Sequence, residues 1–461
     1  MSESDLRRRV AELMPRAREE LSEIVAIRSV ADPRQFAPKE CLQAATWVAD
    51  RFAGVGFDDI RLAETPDGSS AVIGSRPCGD RDAPTVLLYA HYDVQPPLNE
   101  DAWRTPPFRL TEVDGRWYGR GAADCKGNLL MHLTALRALG DELPVHLKLV
   151  VEGSEEQGTG GLEAFVPDHA DLLRADAIIV ADTGNAAVGH PAVTSSLRGN
   201  VNVVITVEAL TSELHSGIFG GAAPDALAAL VAILATLRDD RGNTTIHGLS
   251  RTQSWTGAPY PPAQFQSDAG VLDGVSLLGN GTVSDMIWAR PALTIVGIDC
   301  PPVIGSATAI VPRASARLNL RIPPGVTPER AGTALVHHLH EVAPWRVRVT
   351  VDVEASGDAF RPATDGPAYR AMTAAMRSAY GGSPVVELGQ GGSIPLCGVF
   401  ATTYPEAEII LIGVEEPLSL IHAPNESVHP QEIADMALTE AMFLQKYAAT
   451  PPDHRRPAPT R

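Results

Sequence analysis

The stretch Pro84-Thr85-Val86-Leu87-Leu88-Tyr89-Ala90-His91 decides the fold of the N-terminal half of the chain. Its apolar residues run on without polar alternation and stop at a histidine. A strand with one wet face alternates, whereas a strand buried on both faces reads as a continuous apolar run, the habit of parallel sheets. Three further runs have the same character: His146–Val151 ahead of Glu155 and Glu156, Asp176–Ala181 ahead of Asp182, and Glu408–Val414 shortly before His422. Helical stretches separate them, which is the grammar of an α/β fold. In open α/β sheets ligands gather at the carboxyl ends of the strands, so one sheet edge is expected to collect His91, Glu155, Glu156, Asp182 and His422. Asp124 joins them from Gly119-Arg120-Gly121-Ala122-Ala123-Asp124-Cys125-Lys126-Gly127, a glycine-rich loop running into the apolar helix Asn128–Leu139.

Outward from these runs, helices are expected at Ser4–Arg28 and Lys39–Gly54 on their apolar spacing. After Ser195 the pattern changes. Asn200–Ala209 reads as a strand, Pro224–Arg238 as a helix, Ala292–Asp299 and Ala314–Ile322 as strands. Pro328–Val342 follows as a helix capped by Thr327, and Val347–Ala355 as a strand. Strand, helix, strand, strand, helix, strand is the ferredoxin-like unit. The fold class is therefore α/β, a mixed, largely parallel sheet in a discontinuous domain (1–194 and 359–461) interrupted by a ferredoxin-like α+β domain (195–358). Gly242–Gly281 is expected to be a long irregular lid or interface loop rather than disorder, since it keeps Trp255, Tyr260 and Phe265, and the tail from Thr450 to be disordered.

With 461 residues, two domains are the natural expectation. A formal charge of −18, from 38 basic and 56 acidic residues, argues against nucleic acid or an anionic membrane as partner. No stretch approaches the roughly twenty apolar residues of a membrane span, and the N-terminus lacks the apolar core of a secretory signal, so a cytoplasmic location is the default. Five cysteines without close pairs indicate neither a disulfide framework nor a thiolate metal site. Cys125 lacks the ordered histidine in sequence that would make it a nucleophile. The helix with His337, His338 and His340 is read as carrying surface polarity.

His91, Asp124, Glu156, Asp182 and His422 form a donor set suited to a borderline divalent ion. Three carboxylates around one dication leave surplus negative charge, whereas two dications with a bridging hydroxide reach neutrality. The reading is therefore a pair of divalent ions, Zn2+ first with Mn2+ or Co2+ as alternatives. Asp124 bridges them, His91 and Asp182 hold one, and Glu156 and His422 hold the other. Such a pair activates water and polarises a carbonyl, which points to amide hydrolysis. Glu155 and Glu156, as neighbours on an extended segment, are expected to point to opposite sides, leaving Glu155 as the base for the bridging water. Asp93 is expected to accept from the His91 imidazole and fix its tautomer.

Taken together, His91-Tyr92-Asp93, Gly119–Gly127, Glu152-Gly153-Ser154-Glu155-Glu156, Ala181-Asp182-Thr183, Leu214-His215-Ser216-Gly217, Gly391-Gly392-Ser393-Ile394-Pro395 and Ile421-His422-Ala423 resemble, in this order, the motifs of the M20 metallopeptidases. The dipeptidase branch, with carnosinase-type and cytosolic non-specific enzymes, is the nearest in appearance. The resemblance implies that His215 stabilises the oxyanion, delivered across a homodimer of the inserted lid domains. It implies that Thr308 and Arg321 hold the substrate carboxylate, that Ser393 lines the same pocket, and that the Asp124–Cys125 bond is cis. Cys125 departs from the pattern, which often has Asp or Asn there. Three functions stand side by side: a di-zinc dipeptidase for short peptides with a free carboxylate, an N-acyl- or N-carbamoyl-amino acid amidohydrolase, and a non-catalytic metal-binding scaffold.

Overall fold

The computed structural model describes residues 1–450; the remainder of the tail expected to be disordered lies outside them. The chain folds into two compact units. One comprises Met1–Ser195, Pro362–Leu388 and the chain from Leu396 onward, the other Ser196–Arg361 and Gly389–Pro395. Ser393 thus belongs to the second unit.

In the first unit the four apolar runs become the middle of an eight-stranded sheet. His146–Glu152, Thr85–His91, Ala177–Ala181 and Glu408–Ile412 lie side by side and parallel. The register pairs His91 with Glu152 and Ala181 with Ile412, so the carboxyl ends are level. Ser70–Arg76 and Arg61–Glu64 extend one side antiparallel, and Ala192–Leu197 and Val386–Gln390 extend the other. Val86, Leu88, Ala90, Leu147, Leu149, Val151, Ile179 and Ile410 share one core with the helices Glu3–Val25, Lys126–Leu139, Pro367–Ala379 and Pro430–Ala448. Leu87, Tyr89, Ile178 and Val180 alternate with them and are equally buried. Both faces are dry, which is why the runs do not alternate. Lys126–Leu139 is buried at every position except Arg137, whose guanidinium pairs with Glu20 at 2.6 Å. A helix buried on nearly every side, its few polar groups included, lies in the middle of a core.

The second unit has the expected order of elements. Strands Ala292–Asp299, Arg313–Ile322, Gly199–Glu208 and Arg348–Gly357 form one antiparallel sheet in that spatial order, with helices Ala226–Ala235 and Pro328–Glu341 against it. Thr327 caps the second helix by accepting from the Arg330 N–H at 3.3 Å. Val201, Val203, Ile205, Ala314, Ala316, Leu318 and Leu320 face the helices. The residues between them, Asn200, Asn202, Ser315, Arg317, Asn319 and Arg321, therefore lie on the opposite face. Within Gly242–Gly281, Trp255 and Tyr260 pack on Trp288, with ring centroids 5.1 and 6.0 Å away. The reading of His338 as surface polarity is corrected: it is buried, with Nε2 2.9 Å from the Thr236 hydroxyl, while His337 and His340 are exposed. Its position on the inner stripe of the helix, beside Leu335 and Leu339, explains the difference.

Candidate metal centre

Level carboxyl ends bring the first unit's predicted residues together. His91 ends its strand fully buried, and its Nε2 lies 3.0 Å from Asp124 Oδ1 and 3.2 Å from Asp182 Oδ1. His422, in the left-handed conformation at φ 62°, puts Nε2 2.9 Å from Asp124 Oδ2 and 3.1 Å from Glu156 Oε2. Asp124 thus turns one carboxylate oxygen to each imidazole. Each imidazole has a second carboxylate of its own, Asp182 for His91 and Glu156 for His422. Glu156 Oε1 is buried with no hydrogen-bond partner among the described residues, while Gln95 Nε2 donates to Oε2 at 2.8 Å.

The electrostatics of so many carboxylates in one place are lopsided. Burial, then the Asp124 charge, raises the Glu156 pKa; burial, then Asp182, raises that of Glu155 well above the carboxylate range. Burial pushes Asp182 up to about 6 against the pull of His91. Burial likewise works against the charge on Asp124 and His422, but hydrogen bonds and charge together outweigh it: His422 and His91 lower the first, and Asp124 and Glu156 raise the second. A cluster that holds extra protons when only protein is present is one whose donors suit added positive charge. The donor set, two imidazole nitrogens and several carboxylate oxygens within a few ångströms, suits divalent metal.

Two expectations are corrected by local geometry. Glu155 and Glu156 are not on an extended segment: they form a single turn of 3₁₀ helix, Glu155–Gln157, after the strand has ended at Glu152. Gly153 breaks the strand there, where a Cβ would fall 2.1 Å from the Tyr92 hydroxyl. Asp93 does not take the imidazole proton on its carboxylate. His91 Nδ1 is 3.0 Å from the Asp93 backbone carbonyl, with Oδ1 at a looser 3.4 Å. The carboxylate instead accepts from the backbone N–H groups of Glu155 (3.2 Å) and Glu156 (3.0 Å), pinning the turn.

The loop carrying Asp124 is held from a distance. Glu426 is fully buried, and its carboxylate accepts from the N–H of Gly121 at 2.9 Å and of Ala123 and Asp124 at 3.1 Å each, and from Arg120 Nη1 at 2.6 Å. Gly121 has φ 80°, and a Cβ there would lie 2.5 Å from Val94 Cγ1. The Asp124–Cys125 peptide bond is cis, as the resemblance implied. Although His91 is close to Cys125 in space, the buried thiol donates to the Ala181 carbonyl at 2.9 Å, and burial pushes its pKa up to about 12. It is no nucleophile. Sequence reasoning missed Glu426 and also Glu415, which is 5% exposed, has one carboxylate oxygen without a partner, and offers the other donors a further oxygen beside Asp124 and Asp182.

The remaining predicted residues lie in the second unit. Leu214–His215 pairs with Ala309–Ile310, and Thr308 accepts from the Ser216 N–H through its backbone carbonyl at 3.0 Å, so His215 and Thr308 are neighbours along one short ladder. His215 is exposed, and its Nδ1 accepts from the Gly217 N–H at 3.0 Å. A neutral ring in that arrangement carries its proton on Nε2. At the end of the four-stranded sheet Arg321 lies across from Asn200, and Ser393 lies beside Gly357 on the other side of Asn200.

Comparison with known proteins gives a consistent picture. Residues 87–446 match the model of Peptidase family M20/M25/M40. The chain is 40% identical over 434 residues to a cysteinylglycine-S-conjugate dipeptidase of Corynebacterium striatum, covering 93% of this chain and 95% of the relative. It is 29% identical to a Beta-Ala-His dipeptidase of Rattus norvegicus, with 92% of each covered. The structure of human carnosine dipeptidase 1 superposes with a TM-score of 0.84 at 25% identity, over 98% of this chain and 99% of that one.

Proposed function

Since the chain belongs to peptidase family M20/M25/M40 and is a metal-dependent hydrolase, we propose that it cleaves dipeptides or short peptides with a free C-terminal carboxylate at a centre of two divalent ions. The observation that carries this reading is Asp124, with one carboxylate oxygen on each of two imidazoles that have separate further carboxylates. Its relatives named as dipeptidases support the substrate class. His91 and Asp182 would hold one ion, Glu156 and His422 the other, and Asp124 both; Zn2+ suits these donors, with Mn2+ or Co2+ as alternatives. Bound there, the ions would polarise the scissile carbonyl and make water a stronger nucleophile.

The chain's own groups do the rest. Glu155, whose carboxyl group is held by burial well above the ordinary carboxylate range, takes the proton from the attacking water and returns it to the leaving amine. Asp93 fixes the turn that sets this base next to the ligand Glu156. His215, with Nε2–H unengaged by its own loop, donates to the developing oxyanion. Thr308 and Arg321 hold the carboxylate, and Ser393 lines the same pocket. We place the enzyme in the cytoplasm, where its five free thiols would stay reduced. We assign it a homodimer through the second unit, whose Ile218, Phe219, Val303 and Ile304 are exposed apolar side chains that a second copy would cover.

Enzyme reloaded with Zn2+ is expected to turn over simple dipeptides about 100-fold faster than N-acetyl or N-carbamoyl amino acids, measured as kcat/KM over a matched panel. Turnover of the acylated substrates alone would transfer the function to an amidohydrolase. A fully active monomer in sedimentation would exclude delivery of His215 by a partner.

The metal assignment predicts a pH effect. Asp182, Glu155, Glu156 and His422 bind protons more tightly in the metal-free fold than in the unfolded chain. The stability they contribute is complete below their unfolded pKa values and is lost as pH rises through the folded ones. For Asp182 that window runs from 3.8 up to about 6. Metal replaces those protons, so the rise in Tm on adding Zn2+ should be larger at about pH 7 than at about pH 5. Equal increments at both would contradict the ligand set.

A further inference from the structure

The second unit contains a positive pair that the reading above leaves half explained. Arg198 follows the strand Ala192–Leu197 and is anchored by its backbone N–H, which donates to the Gln390 carbonyl at 3.2 Å. Its side chain is 8% exposed, yet Nε and Nη1 are buried with no hydrogen-bond partner, and no carboxylate pairs with it among the described residues. The charge that acts on it is another cation. Burial, then the Arg321 guanidinium, lowers its pKa to about 10.

Register explains why the two arginines meet. Arg321 lies directly across from Asn200, and Asn200 directly across from Gly357, so these three share one face of the sheet. Arg198 stands two residues before Asn200, the spacing that returns a side chain to the same face. The loop Gly391-Gly392-Ser393 closes over this end. A Cβ on Gly391 would come 3.1 Å from Arg198 Nη2, and one on Gly357 would come 3.1 Å from Ser393 Oγ and 2.8 Å from Asn200 Oδ1. Two guanidiniums, a hydroxyl and an amide therefore converge where the backbone is stripped to glycine. Burying an unpaired cation is costly, and placing a second beside it is costlier still, unless an anion completes the set.

We propose that Arg198 and Arg321 form one carboxylate-binding subsite, in which Arg198 is the second anchor of a substrate carboxylate. The inference rests on the peptidase reading and adds to it a residue and a geometry. Planar guanidinium matches a carboxylate in a two-pronged grip, and two such groups can take one oxygen each or share both. The carboxylate could be the peptide's C-terminus or an acidic side chain of its last residue, and the chemistry of the subsite is the same for either.

The test compares substrates with and without the charge, using the metal-loaded full chain. Wild-type enzyme should prefer Ala-Gly over Ala-glycinamide, and Arg198→Met should cut that preference by about 10- to 100-fold, chiefly through KM. Arg198→Lys should restore part of it, since the charge returns without the fork. Loss instead of the preference for Ala-Asp-amide over Ala-Asn-amide would uphold the subsite and assign the carboxylate to the side chain. If both preferences survive in Arg198→Met, the proposal is wrong. Melting gives a second reading: removal of an unpaired buried charge should leave Tm at or above that of wild type. A lower Tm with unchanged preferences would make Arg198 a structural residue. Should wild-type enzyme cleave no peptide but only N-acylated amino acids, the peptidase reading fails, and the same acid-to-amide comparison on N-acetylglycine decides the subsite.

Discussion

Glu155→Gln is expected to lower kcat by about 10²- to 10⁴-fold, the usual worth of a positioned proton-transfer group, while the purified protein still binds two dications per chain. Glutamine preserves the shape of the side chain and its place on the turn, because that turn is fixed by Asp93 through the backbone N–H groups of Glu155 and Glu156 rather than through either side chain. What is lost is the ability to take up and return a proton. Glu156→Gln should behave in the opposite way. Its Oε2 stands 3.1 Å from His422 Nε2 and its Oε1 is buried without a partner, the posture of a ligand, so metal content should fall along with activity. Elemental analysis alongside steady-state kinetics separates the two variants. If Glu155→Gln arrives depleted of metal, Glu155 is itself a ligand and the base must be sought elsewhere.

The contrast between these neighbours shows where sequence reasoning reaches and where it stops. Four unalternating apolar runs fix the parallel core because burial on both faces leaves a compositional trace, and the carboxyl-end rule then places His91, Asp182 and His422 with no further information. The same rule, carried one residue past the run Glu408–Val414, would have reached Glu415. Strand alternation does not separate Glu155 from Glu156, because the strand ends at Glu152, before Gly153, where the Tyr92 hydroxyl leaves no room for a Cβ, and the two glutamates fall on a 3₁₀ turn. Three histidines on one helix resemble a solvated face, but the 3.6-residue period that puts Leu335 and Leu339 inside also carries His338 there. Arg198 leaves no trace at all. A single arginine after a strand is ordinary, and its meaning comes from Arg321 and Gly391, which only folding brings near.

Glu426 is the sharpest case of that kind, and substituting it should have the largest effect on the fold. Its carboxylate is the shared acceptor for three backbone N–H groups of the Gly119–Gly127 loop and for Arg120, which is itself 1% exposed. In Glu426→Ala these donors lose their acceptor together, and a guanidinium is left buried without its counter-charge. Breaking a buried pair by removing one partner costs about 3–5 kcal/mol, most of it the penalty of the stranded charge. The loop holds Asp124, so dication affinity should fall as well, even though Glu426 is no ligand. Urea unfolding and metal titration would measure the two losses. Because the stranded charge carries most of the cost, Arg120→Met combined with Glu426→Ala should recover much of the stability, as a double-mutant cycle would record. It should recover little of the metal binding, since the amides of Gly121, Ala123 and Asp124 still lack an acceptor. A Glu426→Ala protein that keeps both wild-type stability and two bound ions would mean that the loop is held by its own glycine-rich geometry and not by the carboxylate beneath it.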